Sequence, residues 1–384
     1  MEFKKYLLSE ISDYKTGRLN SNAAIENGKY KFFTCAPNPL TINSYSYDDD
    51  VILLAGNNAN GIFHINRFNG KFDAYQRTYI IKPKFDVIDI DYLYYLKFKL
   101  NFLRSQSIGS ATKYLTKPIL DNLEIYSPKS KRKETIISSI LKILDKKIEL
   151  NKRIIANLEE LSQTLFKRWF VDFEFPDENG NPYKSSGGEM IDSELGEIPS
   201  GWKVDELGNY IKIKSGKRPK NKVDKKDIEN VVPIIGASKI MGYTNDYLYN
   251  EKIIIIGRVG THGVIQRFST RTWPSDNTFV IISDFESIIY QVLKSIDYIS
   301  LNRGSTQPLL SQKDIKNTKV AMPTNETLLS TYQKENNHIL KMMDQKNIEN
   351  QKLTQLRDTL LPKLMSGEIE IPDDIEVNED ELSI

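Results

Sequence analysis

The clearest pattern in the chain is a run of apolar positions spaced alternately four and three residues apart. This spacing is that of a coiled-coil seam, in which one stripe of a long helix faces a partner helix. It predicts one helix from Ile136 to Trp169, about 50 Å long at a rise of about 1.5 Å per residue. The seam positions are Ile137, Leu141, Leu144, Ile148, Asn151, Ile155, Leu158, Ser162, Leu165 and Trp169.

A second and weaker seam follows Pro323. We expect Pro362 to kink this helix and Gly367 to end it. Because neither apolar stripe can remain in water, the simplest burial is an antiparallel pair formed by the two helices, and an intermolecular coiled coil is the alternative. Asn151 and Asn350 each lie on a seam, where a polar residue can fix the register. The second seam contains Leu340, Met343, Asn347, Asn350, Leu353, Leu356, Leu360 and Leu364.

The rest of the chain repeats one plan twice. The segments "GSATKYLTKPILDNLEIYSP" (109–128) and "GSTQPLLSQKDIKNTKVAMP" (304–323) have equal length, and "LLSEISDYKTG" aligns with "ELGNYIKIKSG". Short β-branched runs predict strands in each half, and Thr116 and Ser311 predict N-caps of a short helix. A repeat of this size indicates a duplicated domain. We therefore predict the α+β class, with two similar α/β domains separated by a pair of long antiparallel coiled-coil helices in pseudo-two-fold arrangement.

These patterns divide the chain into six segments. They are a first domain (1–130), a central spacer helix (131–171), an acidic connector (172–201), a second domain (202–325), a distal spacer helix (326–370) and an acidic tail (371–384).

Charge is unevenly distributed, although the whole chain has a net charge of only +2. Residues 207–323 carry 18 Lys and Arg against 10 Asp and Glu, and residues 1–130 carry 17 against 13. Residues 172–206 carry 2 against 10, and residues 324–384 carry 6 against 13. Basic globular segments are typical of nucleic-acid-binding proteins, because neutralising phosphates releases counterions.

The motifs of the common catalytic classes are missing from the sequence. It has no Walker A loop, no dinucleotide-binding fingerprint, and no [DN]-P-P-[FYW] tetrapeptide of amino-methyltransferases. The single cysteine, Cys35, and the three histidines argue against a disulfide framework or a structural zinc site. His64 and His262 lack a carboxylate or cysteine partner in the sequence pattern, so we predict neither a catalytic residue nor a metal site.

What remains is a basic surface with polar loops, "AGNNANG" in the first half and "GRVGTHG" in the second. Arg reads guanine, and Asn reads adenine, through paired hydrogen bonds in the major groove. Similar scaffolds with different loops therefore predict two DNA sequences read by one architecture. The candidate DNA-binding residues are Asn57, Asn58, Asn60, Arg67, Arg77, Arg104, Lys113, Lys217, Arg218, Arg258, His262, Arg267, Arg271 and Arg303.

The segment "LFKRWFVDFEFPDENGNPYKSSGGEMIDSELGEIPSGW" (165–202) resembles the central region of a known family, the specificity subunits of type I DNA restriction–modification systems. "LRDTLLPKLMSGEIEI" (356–371) is similar to its distal helical end, and "GSTQPLLSQKDIKNTKVAMP" is similar to the segment that closes its recognition domains.

The resemblance implies two target-recognition domains that each bind one half of a bipartite, asymmetric site on double-stranded DNA. The helices would set the spacer between the half-sites and dock two modification (methyltransferase) subunits. The chain itself would be non-catalytic and would bind no cofactor. The modification subunits would bind S-adenosylmethionine and methylate adenine, and restriction (motor-nuclease) subunits would use ATP and Mg for translocation and cleavage.

Three further expectations complete the sequence-based picture. Trp169, Phe170, Phe173 and Phe175 are interpreted as an exposed docking patch, with packing beneath the helices as the alternative. The N-terminal segment lacks an apolar signal core and no apolar run could span a membrane, so we expect a cytoplasmic protein. A coiled-coil scaffold that binds nucleic acid without sequence specificity, and the specificity subunit of a methylation-only system, remain open as alternatives.

Overall fold

The structure is a computed structural model that describes residues 2–59, 61–259, 263–301 and 309–372. The chain divides into two units. Unit 1 is formed by Met1–Leu150 together with Asn350–Ile384, and unit 2 by Asn151–Glu349. Unit 2 is therefore one continuous stretch of chain, whereas unit 1 is built from two stretches that are far apart in sequence.

Unit 1 contains ten strands and four short helices in the described residues, followed by the first half of a long helix. The strands are β1 (Phe3–Leu7), β2 (Ser12–Thr16), β3 (Tyr30–Phe33), β4 (Leu40–Ile42), β5 (Tyr47–Ala55), β6 (Asn57–Asn58), β7 (Ile65–Ala74), β8 (Thr78–Pro83), β9 (Lys113–Tyr114) and β10 (Glu124–Pro128). The short helices are α1 (Leu8–Ile11), α2 (Ile90–Tyr94), α3 (Leu100–Gln106) and α4 (Lys117–Asp121). The long helix is α5 (Lys131–Phe166).

Unit 2 begins with the second part of α5 and an additional pair of strands, after which most of its elements follow the order seen in unit 1. Its strands are β11 (Met190–Ser193), β12 (Gly196–Pro199), β13 (Trp202–Glu206), β14 (Lys212–Ser215), β15 (Val232–Ile235), β16 (Ile240–Thr244), β17 (Ile253–Gly257), β18 (Ile265–Phe268), β19 (Trp273–Pro274), β20 (Thr278–Ile282) and β21 (Lys319–Pro323). Its helices are α6 (Glu286–Ser295), α7 (Gln312–Asn317) and the first part of the long helix α8 (Glu326–Ser366).

The sheets of the two units have the same topology. The strand order β2–β8–β5–β7 in unit 1 corresponds to β14–β20–β17–β18 in unit 2. In unit 1 the sheet continues through β3 and β4; in unit 2 the matching strands β15 and β16 join β19 in a separate sheet. The first strand of each domain pairs antiparallel with its last strand, β1 with β10 and β13 with β21. These matches confirm the predicted duplication.

The central strand of each sheet is buried on both faces, which explains its uninterrupted apolar sequence. In unit 1, Ile52 and Leu54 of β5 pack into the helix-facing core, and Val51 and Leu53 pack into a smaller core on the other face. In unit 2, the four isoleucines of β17 alternate between two cores in the same way.

Within each unit, the parts of the two long helices lie antiparallel. In unit 1 the Arg357 guanidinium is 2.8 Å from the Asp145 carboxylate, while Leu141, earlier on α5, shares a core with Leu361, later on α8. In unit 2 the Ser162 hydroxyl donates to Asn336 at 2.7 Å, and Leu158 packs in the same core as Leu340, Met343 and Ile339. The predicted intramolecular pairing is therefore present in both units.

The first seam is buried or half-buried at every predicted position. The second seam is less regular, since Asn347 is exposed and the Leu356 side chain is 47% exposed, while Leu361 is buried. Pro362 lies inside α8, which continues for one further turn to Ser366 before Gly367 adopts a φ of +81°. The buried seam residues are Ile137, Leu141, Ile148, Asn151, Ser162, Trp169, Leu340, Met343 and Leu364, and the half-buried ones are Leu144, Ile155, Leu158, Leu165, Asn350, Leu353 and Leu360.

The prediction of an exposed aromatic docking patch is wrong. Trp169 and Phe170 lie in a π-helical turn (Lys167–Val171) that follows α5, and both rings pack against Tyr332 of α8. Phe173 and Phe175 pack against Trp202 at ring-centroid distances of 5.3 and 5.5 Å. None of the four side chains is more than 9% exposed. The acidic connector is therefore packed against the rest of unit 2 through its aromatic residues Phe173 and Phe175.

Within the part of the chain that the structure describes, no helix combines the length and apolar character needed to cross a membrane.

We expect Leu141→Ala to lower the free energy of unfolding of unit 1 by about 2–5 kcal/mol, the usual range for truncating a buried leucine. The Leu141 side chain is fully buried between the sheet and α8. Leu356→Ala in the same unit should change it by less than about 0.5 kcal/mol, because that side chain is largely exposed. Urea denaturation, monitored by circular dichroism, measures the free energy of unfolding of both variants. An equal decrease in the two variants would contradict the seam seen here.

Candidate nucleic-acid interface

In unit 1, the ends of several strands meet at one edge of the sheet, which we call the first rim (residues 17–19, 34–36, 56–58, 75–77 and 113–115). The backbone N–H of Gly56 donates to the Arg77 carbonyl at 2.8 Å, and the Leu115 N–H donates to the Gly56 carbonyl at 2.8 Å. Strands β6 and β9 pair antiparallel at the same place. The loop after β5, the turn before β8 and the segment before α4 are thereby held together.

Gly17 closes the first rim. Its N–H donates to the Thr78 carbonyl at 3.0 Å, and the next N–H, that of Arg18, donates to the Ala74 carbonyl at 3.1 Å. A Cβ atom at Gly17 would collide with the carbonyl oxygen of Ala74, so only glycine permits this approach. The exposed side chain of Arg18 is consequently placed on the rim, although the sequence did not single it out.

Four of the predicted unit 1 residues lie on the first rim, and a fifth, Arg104, lies beside it. The thiol of Cys35 donates to the side-chain oxygen of Asn57 at 2.8 Å, and the Arg77 guanidinium lies 5.4 Å from the centre of the Tyr114 ring. The five residues are Asn57, Asn58, Arg77, Lys113 and Arg104. Lys113 and Arg104 both lie close to Gly61, since a Cβ atom added there would be 3.0 Å from Lys113 Cγ and 3.3 Å from Arg104 Cγ.

Unit 2 has a matching second rim (residues 216–218, 257–259, 275–277 and 309–310). The Arg258 N–H donates to the Asn277 carbonyl at 2.9 Å, and the Leu310 N–H donates to the Arg258 carbonyl at 3.0 Å. These two hydrogen bonds correspond to the two backbone hydrogen bonds that Gly56 makes in unit 1. Arg258 therefore occupies the position of Gly56, and Gly257 occupies that of Ala55.

The second rim is closed by Gly216 as the first is by Gly17. The Gly216 N–H donates to the Thr278 carbonyl, and the Lys217 N–H donates to the Pro274 carbonyl, both at 3.0 Å. Lys217 is thus the counterpart of Arg18. Lys217 and its neighbour Arg218 are both exposed, and the Arg258 guanidinium lies 5.5 Å from the centre of the Phe279 ring.

Arg67 and Arg267 do not belong to the rims. Arg267 is only 8% exposed and pairs with the carboxylates of Glu286 and Asp344, the latter at 2.6 Å. Arg67 pairs with Asp50 at 2.8 Å and Asp91 at 3.2 Å. Because these guanidinium groups are engaged by carboxylates inside their own units, we withdraw both residues from the DNA-binding candidates.

The two arginines occupy equivalent positions. Arg67 lies opposite Ile52 of β5, and Arg267 lies opposite Ile254 of β17. Each therefore links a strand of the sheet to the short helix beside it, α2 or α6. In unit 2 the same guanidinium also reaches the long helix α8 through Asp344.

The remaining candidates lie elsewhere. Arg271 precedes β19, on the side away from the rim turn, and its guanidinium lies 4.9 Å from the centre of the Tyr247 ring. Asn60, His262 and Arg303 lie outside the described residues.

Two titratable groups lie close to the first rim, His64, whose backbone carbonyl accepts from the Ala55 N–H at 2.8 Å, and Tyr79. Burial lowers the pKa of the His64 imidazole, which favours its neutral form. The Tyr79 hydroxyl donates to the Leu115 carbonyl at 3.1 Å, and burial raises its pKa. Tyr79 therefore stays protonated and keeps β8 attached to the segment before α4.

The rims differ in chemistry despite their common backbone. The first presents amide and basic side chains beside a tyrosine ring, and the second presents mainly basic side chains. Basic groups suit phosphates, and amides and guanidinium groups can read base edges. The overlooked residue Arg18 could have been found by extending the alignment "DYKTG"/"KIKSG" by one residue, to Arg18 and Lys217.

Known proteins are similar to this chain in sequence and in fold. The chain is 34% identical over 218 residues to the Type I restriction enzyme EcoDI specificity subunit of Escherichia coli, a match that covers 53% of this chain and 47% of that subunit. It is 29% identical over 327 residues to the MjaIX specificity subunit of Methanocaldococcus jannaschii, covering 76% of this chain and 71% of that one. The aligned part thus spans about half of the first relative and most of the second.

The fold as a whole resembles the crystal structure of the S subunit of a type I restriction–modification system from M. genitalium. The TM-score is 0.64 and the match covers 97% of both chains at 18% sequence identity. A family model described as "Type I restriction modification DNA specificity domain" matches residues 1–160 and 199–358. The two matched ranges each include one of the two rims and most of the long helix that follows it. The chain belongs to the family of type I restriction–modification DNA specificity domains, with two copies of that domain in tandem.

Proposed function

We propose that this chain is the non-catalytic, sequence-specific DNA-binding subunit of a type I restriction–modification complex. The observation that carries this proposal is the pair of rims, which have the same backbone hydrogen bonds but different side chains. One scaffold that is used twice with unequal surfaces is suited to reading two different half-sites of one asymmetric DNA sequence.

In this proposal, each rim contacts one half-site of double-stranded DNA. Exposed basic side chains such as Arg18, Arg77 and Lys217 bind phosphates and fix the position of the unit on the duplex. Asn57 and Asn58 are placed to bind adenine edges, and Arg258 to bind guanine.

The long helices have a separate role. They set the length of the spacer between the half-sites and provide the surface on which two modification subunits dock. Those partners supply S-adenosylmethionine and the adenine methyltransferase reaction, and restriction subunits supply ATP- and Mg-dependent cleavage. The complex acts in the cytoplasm, where the chromosomal DNA of a bacterium or archaeon lies.

We expect the double variant Asn57→Ala/Asn58→Ala to relax the sequence requirement in one half-site and to leave the other half-site unchanged. A lost bidentate base contact weakens discrimination by about 1–3 kcal/mol. Methylome sequencing of cells that express the chain with its cognate modification subunits measures this directly. Asn69→Ala is the matched control, since Asn69 is an exposed asparagine of β7 that lies opposite Asp50, away from the rim. A change in both half-sites would contradict independent reading by the two units.

Cys35 offers an independent test, because it is the only cysteine and its thiol contacts Asn57. We expect a duplex that contains the recognised site to slow alkylation of Cys35 by N-ethylmaleimide in the complex. A scrambled duplex or RNA at the same concentration should protect the thiol much less. Equal protection by all three nucleic acids would favour a scaffold without sequence specificity.

A further inference from the structure

One segment of unit 2 carries an unusual concentration of positive charge. Residues 217–226 connect β14 toward β15 and contain six Lys and Arg but only one acidic residue, Asp224. We call this segment the basic arm. All six basic side chains are exposed, namely Lys217, Arg218, Lys220, Lys222, Lys225 and Lys226.

The basic arm starts on the second rim. Besides the bond from the Lys217 N–H to Pro274, the indole N–H of Trp273 donates to the Lys217 carbonyl at 2.8 Å. Gly216, immediately before the arm, and Arg258 bond to the same turn between Pro274 and Thr278. The first charges of the arm are therefore neighbours of the surface proposed to contact DNA.

The middle of the arm is fixed to the edge of a sheet. Val223 and Tyr243 of β16 exchange two backbone hydrogen bonds, of 2.9 and 2.8 Å. Gly242 has a φ of +154°, and a Cβ there would lie 2.6 Å from the Val223 carbonyl oxygen, so this close pairing requires glycine. These contacts fix the path of the arm's backbone along unit 2.

The charges of the arm are hardly neutralised by the protein itself. Among the described residues, Lys222 is the only arm side chain in an ion pair, 3.7 Å from an Asp224 carboxylate that is 93% exposed. Other exposed lysines in the chain hold closer partners, such as Lys82 with Asp49 at 2.6 Å and Lys203 with Asp205 at 2.7 Å. A dense group of exposed basic side chains with so few acidic partners is suited to binding a polyanion.

Unit 1 has no such arm in its described residues. The corresponding segment, residues 18–29, contains Arg18 and Lys29 against Glu26. The duplication therefore places the additional positive charge on one unit only.

Resting on the function proposed above, we propose that the basic arm binds the phosphate backbone of the DNA beside the half-site that unit 2 reads. The arm contributes affinity that does not depend on base sequence, so unit 2 is the stronger anchor of the two units. Each phosphate contact releases counterions and adds about 0.9 to the slope of log K against log salt concentration.

The test replaces Lys220, Lys222, Lys225 and Lys226 with glutamine in the full complex. The affinity for a duplex that contains the recognised site is measured between 50 and 200 mM KCl, and the slope should become shallower by about 2 to 4. Affinity for a scrambled duplex should fall by a similar factor, and the methylated sequence should not change. The control variant replaces four exposed lysines of unit 2 that lie outside the arm, the rim and the long helices, namely Lys184, Lys203, Lys316 and Lys319, and it should keep the wild-type slope.

Four results would overturn the role of the arm. They are an unchanged slope in the arm variant, an equal loss in the control variant, an altered methylated sequence, which would mean that the arm reads bases, and a wild-type complex that binds RNA in preference to duplex. The proposed function fails in a different way, namely if the wild-type complex does not prefer its own site to scrambled duplex, whatever the arm variant does.

Discussion

Arg267→Met should lower the free energy of unfolding of unit 2 by about 3–5 kcal/mol, the range measured when one partner of a buried ion pair is removed. The substitution would leave the Asp344 carboxylate without its cation, and it would leave the Glu286 carboxylate, which is 10% exposed, with only Lys252 at 4.0 Å. Tryptophan fluorescence during urea denaturation is a selective probe, since all three tryptophans, Trp169, Trp202 and Trp273, lie in unit 2.

Arg271→Met is the matched control for this prediction. It removes an exposed guanidinium that lies over the Tyr247 ring, and an exposed contact of this kind contributes about 0.5–1 kcal/mol. The combined Arg267→Met/Glu286→Gln variant should recover part of the loss, because fewer charges then remain buried without a partner. If both arginine variants had the same stability, Arg267 would not be the internal anchor that its contacts indicate.

The second large effect concerns the length of the helices. Insertion of one heptad between Leu150 and Asn151 and a second between Glu349 and Asn350 adds length where the two units divide. Seven residues extend a helix by about 10.5 Å, which equals roughly three base pairs at 3.4 Å each. We expect the methylated sequence to keep both half-sites and to gain a spacer that is longer by about three base pairs.

The wild-type site should then no longer be modified, which makes this a change from full activity to none at that sequence. Insertion into α5 alone should abolish modification, because it puts the two helical seams out of register. Methylome sequencing provides the readout for both variants. An unchanged spacer in the double insertion would show that the helices do not measure the DNA.

The regular part of the fold was predictable from the sequence. The seam of α5 keeps its spacing over ten positions, and every one of them is buried or half-buried, since a heptad repeat directly reports one face of a helix. The duplication was equally visible. The seam of α8 was predicted less well. Leu356 continues the spacing but is exposed to solvent, whereas Leu361, which is not a seam position, is buried.

The candidate site was predictable only in part, for reasons of long-range structure. Nothing near Arg267 in the sequence indicates that Asp344, 77 residues later, will neutralise it. The same holds for Trp169 and Phe170, whose shared partner Tyr332 lies in α8, far along the chain. The types of residue identified a set of basic and amide side chains as candidates. Only the backbone hydrogen bonds of the folded chain show which arginines lie on the rims, namely Arg77 and Arg258, and which lie inside the units.

The discontinuity of unit 1 has a consequence for biosynthesis. Its core contains Ile137 and Leu141 from the early part of the chain and Leu361, Leu364 and Met365 from the late part. A ribosome that adds about 5–20 residues per second needs roughly 10–40 seconds to pass from the first group to the second. Unit 2, a single uninterrupted stretch, is translated in that interval, so the nascent protein completes the later module first and the earlier one last.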